Sequence, residues 1–244
     1  DDELLAMLSQ PLAKWRVFLH PSQQGIVDKE TYNGPARVTG GPGTGKTVVA
    51  LHRARVLADR LDDRSGKPIL FTTFTKNLSQ AIANDLRSLG GAGLLEVCEV
   101  ATVDSIARRI VADAEGESPG VMFDEEMAQI WERIVDGQGL ELSPSFLANE
   151  WEQVILAQGC TSRSEYFNAS RAGRGIALDR RARATVWKAV EEFTAKLAAD
   201  KKRTFLQLAQ AAAGYAANRP TKPYRHVIID EAQDLHESQW RMLR

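Results

Sequence analysis

The sequence predicts an α/β fold in which a parallel sheet alternates with helices and is interrupted by an all-helical insertion. Three observations predict it. A glycine-rich run, GGPGTGKT at 40–47, stands between a β-like run and a helical one. Strand-like and helix-like segments then alternate through Val111, which implies parallel strands joined by right-handed crossovers. From about Glu115 to Lys202 strand periodicity disappears, and it returns only at Arg225–Ile229.

Each element has its own signal. Leu4 to Leu19 carries helical spacing, and Pro21 at a first helical position opens a second helix through Val27. Ala36 to Thr39 is a short β-like run entering the glycines. Val48, Val49, Leu51, Ala54, Val56 and Leu57 continue beyond them as an amphipathic helix. Gly66 and Pro68 punctuate a turn before Ile69–Thr73, an apolar run of buried-strand type. Leu78, Ile82, Leu86 and Leu89 recur every three or four residues, predicting a helix that ends at Gly90 and Gly91. Leu95 to Val103 reads as a strand, and Ile106, Ile110 and Val111 mark the helix after it.

The helical block shows helix-period segments around Met127–Val135, Phe146–Leu156 and Arg183–Leu197. Its Trp131, Trp151 and Trp187 sit at spacings that predict core positions rather than stacking platforms. A helix around Phe205–Tyr215 and a loop with Pro220 and Pro223 lead back to a buried apolar strand at Val227–Ile229, and His236–Arg244 is helical. The expected division is 1–114 and 203–244 as two segments of one α/β domain, with 115–202 inserted.

Composition excludes several classes of protein. The 244 residues are 43% hydrophobic and 26% charged, which suits a globular chain with an adequate core. No apolar run is long enough to cross a bilayer and no signal-peptide pattern opens the chain, so a cytoplasmic location is expected. Cys98 and Cys160 form neither a metal pattern nor a disulfide framework; packing is their expected role. The formal net charge of −1 conceals an acidic stretch, Asp113 to Glu126, and a crowd of arginines at 163, 171, 174, 180, 181 and 183. Such a cluster serves either to track a phosphate backbone or as a solvated face. With no initiator Met and an end inside a helix, the chain reads as a piece of something longer.

The glycine run matches G-x-x-x-x-G-K-[ST]. Gly41, Pro42, Gly43, Thr44 and Gly45 form a loop whose N–H groups can close around phosphates, Lys46 neutralises them, and Thr47 and Val48 open the helix. Val227–Ile229 delivers Asp230 and Glu231 at a strand's C-terminal end, where α/β sheets place ligands. Either piece has a local reading, since acidic residues also favour helix starts, Thr47 can simply begin a helix and Gln233 can cap one. Together, between the right flanking elements, they describe a nucleoside-triphosphatase site.

In these residues the chain resembles superfamily I helicases of the UvrD/Rep type. LHPSQQGIV, Leu19–Val27, is similar to that family's Q-motif, with Gln23 at the adenine-reading position. GGPGTGKT resembles motif I, FTTFTKNLSQAI (Phe71–Ile82) motif Ia, TVDSIARR (Thr102–Arg109) a further DNA-contacting motif, and DEAQD (Asp230–Asp234) motif II. The resemblance implies a RecA-like P-loop domain with a 1B-like helical insertion, binding ATP and Mg²⁺. Lys46 would stabilise the β- and γ-phosphates, and Thr47 and Asp230 would hold the metal. Glu231 would activate water, while Gln233 would sense the γ-phosphate. It also implies single-stranded DNA as partner, without excluding RNA, and a second, C-terminal motor domain that carries the transition-state arginines.

Departures accompany the matches. Val48 stands where many relatives carry a base-stacking Arg; Thr75, Lys76, Asn77 and Leu78 reorder motif Ia; Val103 and Asp104 replace an aromatic–His pair. An Asp facing a phosphate backbone would be repelled. Beside an ATP-driven motor, the residues therefore leave open a P-loop ATPase switch acting on an attached effector, and at lower weight a nucleotide-binding scaffold.

Overall fold

A computed structural model describes residues 17–244; the helix expected from Leu4 lies, up to residue 16, outside the described residues. A 3₁₀ turn, Pro21–Gln23, leads into α1 (Gln24–Asp28). There follow α2 (Lys46–Asp59), β1 (Ile69–Thr73), α3 (Lys76–Val97), β2 (Cys98–Thr102) and α4 (Val103–Glu115). Then come β3 (Gly120–Val121), α5 (Asp124–Gln138), α6 (Pro144–Glu150), a π-turn (Trp151–Leu156), α7 (Arg163–Asn168), α8 (Arg180–Ala199) and β4 (Lys202–Arg203). The series ends with α9 (Phe205–Ala217), β5 (His226–Ile229), a 3₁₀ turn at Ala232–Asp234 and α10 (Glu237–Leu243).

The described residues divide into two compact units. One holds residues 17–105 with Pro220–Asp234, and the other Ile106–Arg219 with Leu235–Arg244. These cuts fall elsewhere than the expected 115–202 boundaries, because most of α4, all of α9 and α10 belong with the helical unit; α9 packs extensively on α10.

The first unit is built on a parallel three-stranded sheet in the order β2-β1-β5. Register pairs Thr73 with Thr102 and Thr72 with Ile229, so β1, β2 and β5 end at one edge. All five residues of the central strand are buried. Leu51, Ala54 and Ala58 of α2 and Ile82 and Leu86 of α3 pack with Ile69 and Phe71 over this sheet. Each fully buried Leu, Ile or Phe contributes about 1.5–3 kcal/mol, and this core is what fixes α2 against the strand edge.

Four sequence expectations are corrected in the elements. Ala36–Thr39 forms no strand and Val38 is 40% exposed, since the run finds no pairing partner among the described residues. Val227 is 38% exposed rather than buried, because β5 pairs with β1 on one side only. Gly91, at φ 69° and ψ −168°, ends the first helical run of α3 as expected, but a second helical run follows it to Val97, so β2 starts at Cys98 rather than at Leu95. Finally, the 115–202 block does contain a strand: β3 pairs in parallel with β4 as a separate two-residue ladder, too short to leave a periodicity.

The helical unit has its own core. Trp131 stacks on Phe193 with centroids 4.1 Å apart, and Trp151 meets the same ring edge-on at 5.1 Å. Trp187 lies against Tyr166, so all three tryptophans are core residues. The β3–β4 ladder is flanked by ion pairs of Lys202 with Glu126 and Arg203 with Glu115, each at 2.7 Å, and of Arg219 with Asp113 at 3.1 Å. The acidic stretch seen in the sequence thus meets the basic residues at the other end of the block.

Candidate nucleotide site

The glycine loop owes its course to residues without Cβ. Gly43 and Gly45 have φ of 72° and 81°, in the left-handed region that side chains disfavour. A Cβ on Gly40 would stand 2.6 Å from the Thr44 hydroxyl, which donates to the Gly41 carbonyl at 2.8 Å. Gly45 then caps α2, whose first N–H groups have no intrahelical acceptor and face the loop as an anion-favouring helix start. Lys46 Nζ donates to the carbonyls of Gly40 and Gly41 at 3.1 and 2.9 Å, so its ammonium lies inside the loop. Pro42 is exposed and Val48 is half-buried in the first turn of α2.

Asp230 is brought to this helix by the sheet. Its N–H extends the β1–β5 ladder to the Thr72 carbonyl at 2.9 Å, which fixes it at the strand edge. There the Thr47 hydroxyl donates to its two carboxylate oxygens at 3.1 and 3.3 Å. Asp230 is 8% exposed. Burial raises its carboxyl above the ordinary aspartate range, with the neighbouring Glu231 charge adding to it; the Thr47 bond opposes both. An aliphatic hydroxyl and a carboxylate converging in this way are hard oxygen donors suited to Mg²⁺.

Glu231 is one of two non-glycine residues with positive φ among those described, at 53°. Such strain at the end of a ligand-bearing strand is typical of functional turns. The turn leaves Glu231 exposed, and Gln233 Nε2 donates to its carboxylate.

Gln23 reaches the same loop. Its Nε2 donates to the Thr44 carbonyl at 2.8 Å and its Oε1 accepts from the His20 N–H at 3.3 Å. Two residues that sequence reasoning missed support this segment. Arg53 Nη1 donates to the carbonyls of Val27, at 2.7 Å, and Lys29, while Arg60 donates to those of Asp28, Lys29 and Glu30 at 2.8–3.3 Å. Arg53 also lies over the Tyr32 ring, 5.3 Å from its centroid. Arg53 projects from α2 and Arg60 is its C-cap, so the phosphate-loop helix grips the Gln23 segment by its main chain. Their helical spacing from Lys46 was the available signal; the acceptors, being carbonyls, gave none.

The arginine cluster of the helical unit divides by function. Glu150, fully buried, accepts from Arg171 at 2.6 and 2.9 Å and from the Tyr166 hydroxyl at 2.8 Å, with Arg174 at 3.6 Å. Burial alone would push this carboxyl up, but those bonds and charges together hold it below the usual glutamate range. Arg183 spends one nitrogen on the carbonyls of Tyr166, Phe167 and Ala169 at 2.7–3.1 Å. Half of the cluster is therefore internal scaffolding.

Among the described residues no helix is long and apolar enough to cross a membrane, and no cluster of His, Cys, Asp and Glu forms a separate metal site. The family model of the UvrD/REP helicase N-terminal domain matches residues 19–244, nearly the whole chain. No curated protein matches it.

Proposed function

The chain belongs to the UvrD/REP helicase N-terminal domain family, and we propose that it is the MgATP-binding part of an ATP-dependent DNA helicase or translocase. The family carries ATP-dependent helicase function and a RecA-like α/β fold, with nucleic acid as partner. What carries the finer reading is one contact: Thr47 at the phosphate loop lies 3.1 Å from Asp230 at the strand edge, next to Lys46.

In this reading the N–H groups from Gly43 to Thr47 cradle the phosphates and Lys46 exchanges its two carbonyl acceptors for β- and γ-phosphate oxygens. Thr47 and Asp230 hold Mg²⁺, which when bound neutralises phosphate charge. Glu231 orients the attacking water and accepts its proton. Gln233 fixes that carboxylate and, next to the transferred group, senses the γ-phosphate. Gln23 reads the adenine edge by giving up its bonds to Thr44 and His20. The inserted block 115–202 is assigned as the 1B-like element, and single-stranded DNA as the track.

Stimulation of ATP hydrolysis by single-stranded DNA in the full-length protein tests this function. A stimulation abolished by Glu231→Gln is the expected result. Hydrolysis indifferent to DNA would instead identify a nucleotide switch acting on a partner.

A further inference from the structure

The central strand β1 ends in two threonines, Thr72 and Thr73. Both are fully buried, and neither hydroxyl has a hydrogen-bond partner among the described residues. Valine has nearly the same shape, suits a buried strand equally well and leaves no polar group unpaired. A buried hydroxyl without a partner therefore calls for a reason. For Thr72 the structure offers none; for Thr73 it does.

Successive residues of a strand face opposite sides of the sheet. Phe71 and its ladder partners Val100 and Ile228 belong to the core made with α2 and α3. Thr73, two residues on, faces that same side, and Thr72 faces the other. The Asp230 N–H donates to the Thr72 carbonyl, one step beyond the Thr72–Ile229 pair, and this bond sets Asp230 beside Thr73 in the parallel ladder. Ladder neighbours direct their side chains to one face, so Thr73 and Asp230 both face α2, whose Thr47 hydroxyl meets the carboxylate. Adjacent strands lie about 4.8 Å apart, a span that one water bridges. On the other flank Thr73 pairs with Thr102, whose hydroxyl oxygen accepts from the Ser105 N–H at 3.2 Å and so serves the start of α4. The Thr73 hydroxyl is the uncommitted one at this edge.

We propose that Thr73 is a positioning residue for magnesium, its hydroxyl holding one of the metal's waters beside the Asp230 carboxylate. The proposal rests on the MgATP reading above. Thr47 and Asp230 offer oxygens from the protein and the phosphates offer others, but Mg²⁺ dehydrates reluctantly and retains several waters in its octahedral shell. Each retained water has protons to donate. The Thr73 oxygen is an acceptor for one of them, held in place by a fully buried strand, and its own proton stays available to the carboxylate. Groups that bond to a metal's ligands in this way orient them and raise affinity for the ion. An unpaired hydroxyl alone assigns nothing, as Thr72 shows; the register beside Asp230 does.

The test is a magnesium titration of the 244-residue chain in the presence of a fluorescent ATP analogue, with thermal melts in EDTA beside it. Parent, Thr73→Val, Thr73→Ser and Thr72→Val are compared. Thr73→Val is expected to raise the magnesium concentration for half-maximal tightening of the nucleotide about tenfold, the low end of the loss when a metal ligand's hydrogen-bond partner is removed. Its nucleotide affinity in EDTA is unchanged. Thr73→Ser keeps the hydroxyl and stays near the parent, and Thr72→Val, the same change on the opposite face, leaves the magnesium requirement where it is. In EDTA both valine chains melt at or above the parent, since each loses an unpaired buried hydroxyl. The proposal is overturned by an unchanged requirement in Thr73→Val, by an equal rise in both valine chains, by a serine chain no better than valine, or by a Thr73→Val chain that melts below the parent. If the parent's own affinity ignores magnesium, the MgATP reading fails and the proposal falls with it; a magnesium-dependent parent matched by Thr73→Val sinks the proposal alone.

Discussion

The Thr47 hydroxyl donates to both carboxylate oxygens of Asp230, at 3.1 and 3.3 Å, across 183 residues of sequence. The sheet register produces this meeting: β1 lies between β2 and β5, and the Asp230 N–H continues the ladder onto Thr72, which places the carboxylate over the first turn of α2.

Asp230→Asn is expected to have two opposite effects. The buried carboxyl is raised above its unfolded value, so the stability it contributes is full below the ordinary aspartate pKa and is lost as pH rises through the folded one. At neutral pH the ionised carboxylate is therefore a cost, and the amide should raise Tm without divalent metal. About 2–4 °C per kcal/mol relieved is the expected scale for a chain of this size. Magnesium should then cease to tighten ATP binding. Calorimetry and thermal melts with and without Mg²⁺ check both effects; a lower Tm with intact Mg²⁺ dependence would refute the assignment.

Glu231→Gln should keep MgATP affinity near that of the parent while single-turnover hydrolysis falls by about 10²–10⁴, the usual contribution of a general base. Gln233→Ala, by freeing the Glu231 carboxylate, should lower hydrolysis less and in the same direction. A large loss of affinity in Glu231→Gln would mean that the residue binds rather than activates.

Arg53→Met removes the bonds to the Val27 and Lys29 carbonyls. If these hold the Gln23 segment in register with the loop, affinity for ATP drops about fivefold, as expected for roughly 1 kcal/mol of hydrogen bonding, while affinity for magnesium tripolyphosphate stays constant. Equal losses for both ligands would show the clamp to act on the phosphate loop instead.

In the helical unit, Glu150→Ala leaves Arg171 and Arg174 without their buried counter-charge. Breaking such a pair costs about 3–5 kcal/mol. Because the Glu150 carboxyl is held low, its contribution is present above the ordinary glutamate pKa and disappears as pH falls through the folded value. Acid titration of the parent should show a stability limb that the variant lacks.

The candidate site was legible where chemistry is written as side chains at fixed spacing. Lys46, Thr47, Asp230 and Gln23 stand out in the sequence, and the structure brings Gln23 to Thr44 and Thr47 to Asp230. Contacts to the main chain were not legible: the arginines at 53 and 60 bind carbonyls, which every residue possesses. Nor was the split within the arginine cluster, since it depends on Glu150 lying 21 and 24 residues before Arg171 and Arg174 and buried beside a π-turn. Pairing explains the strand errors. Ala36–Thr39 has strand composition but no ladder, and β3 and β4 have a ladder but too few residues to alternate.

The proposed function requires MgATP to bind between the glycine loop and the end of β5. Titration calorimetry of the 244-residue chain with MgATP, on the parent and on Lys46→Ala, tests it most directly. A saturable, magnesium-dependent heat is expected in the parent and an affinity at least about tenfold weaker in the variant, the equivalent of about 1.4 kcal/mol. Equal affinities in the two chains would contradict it.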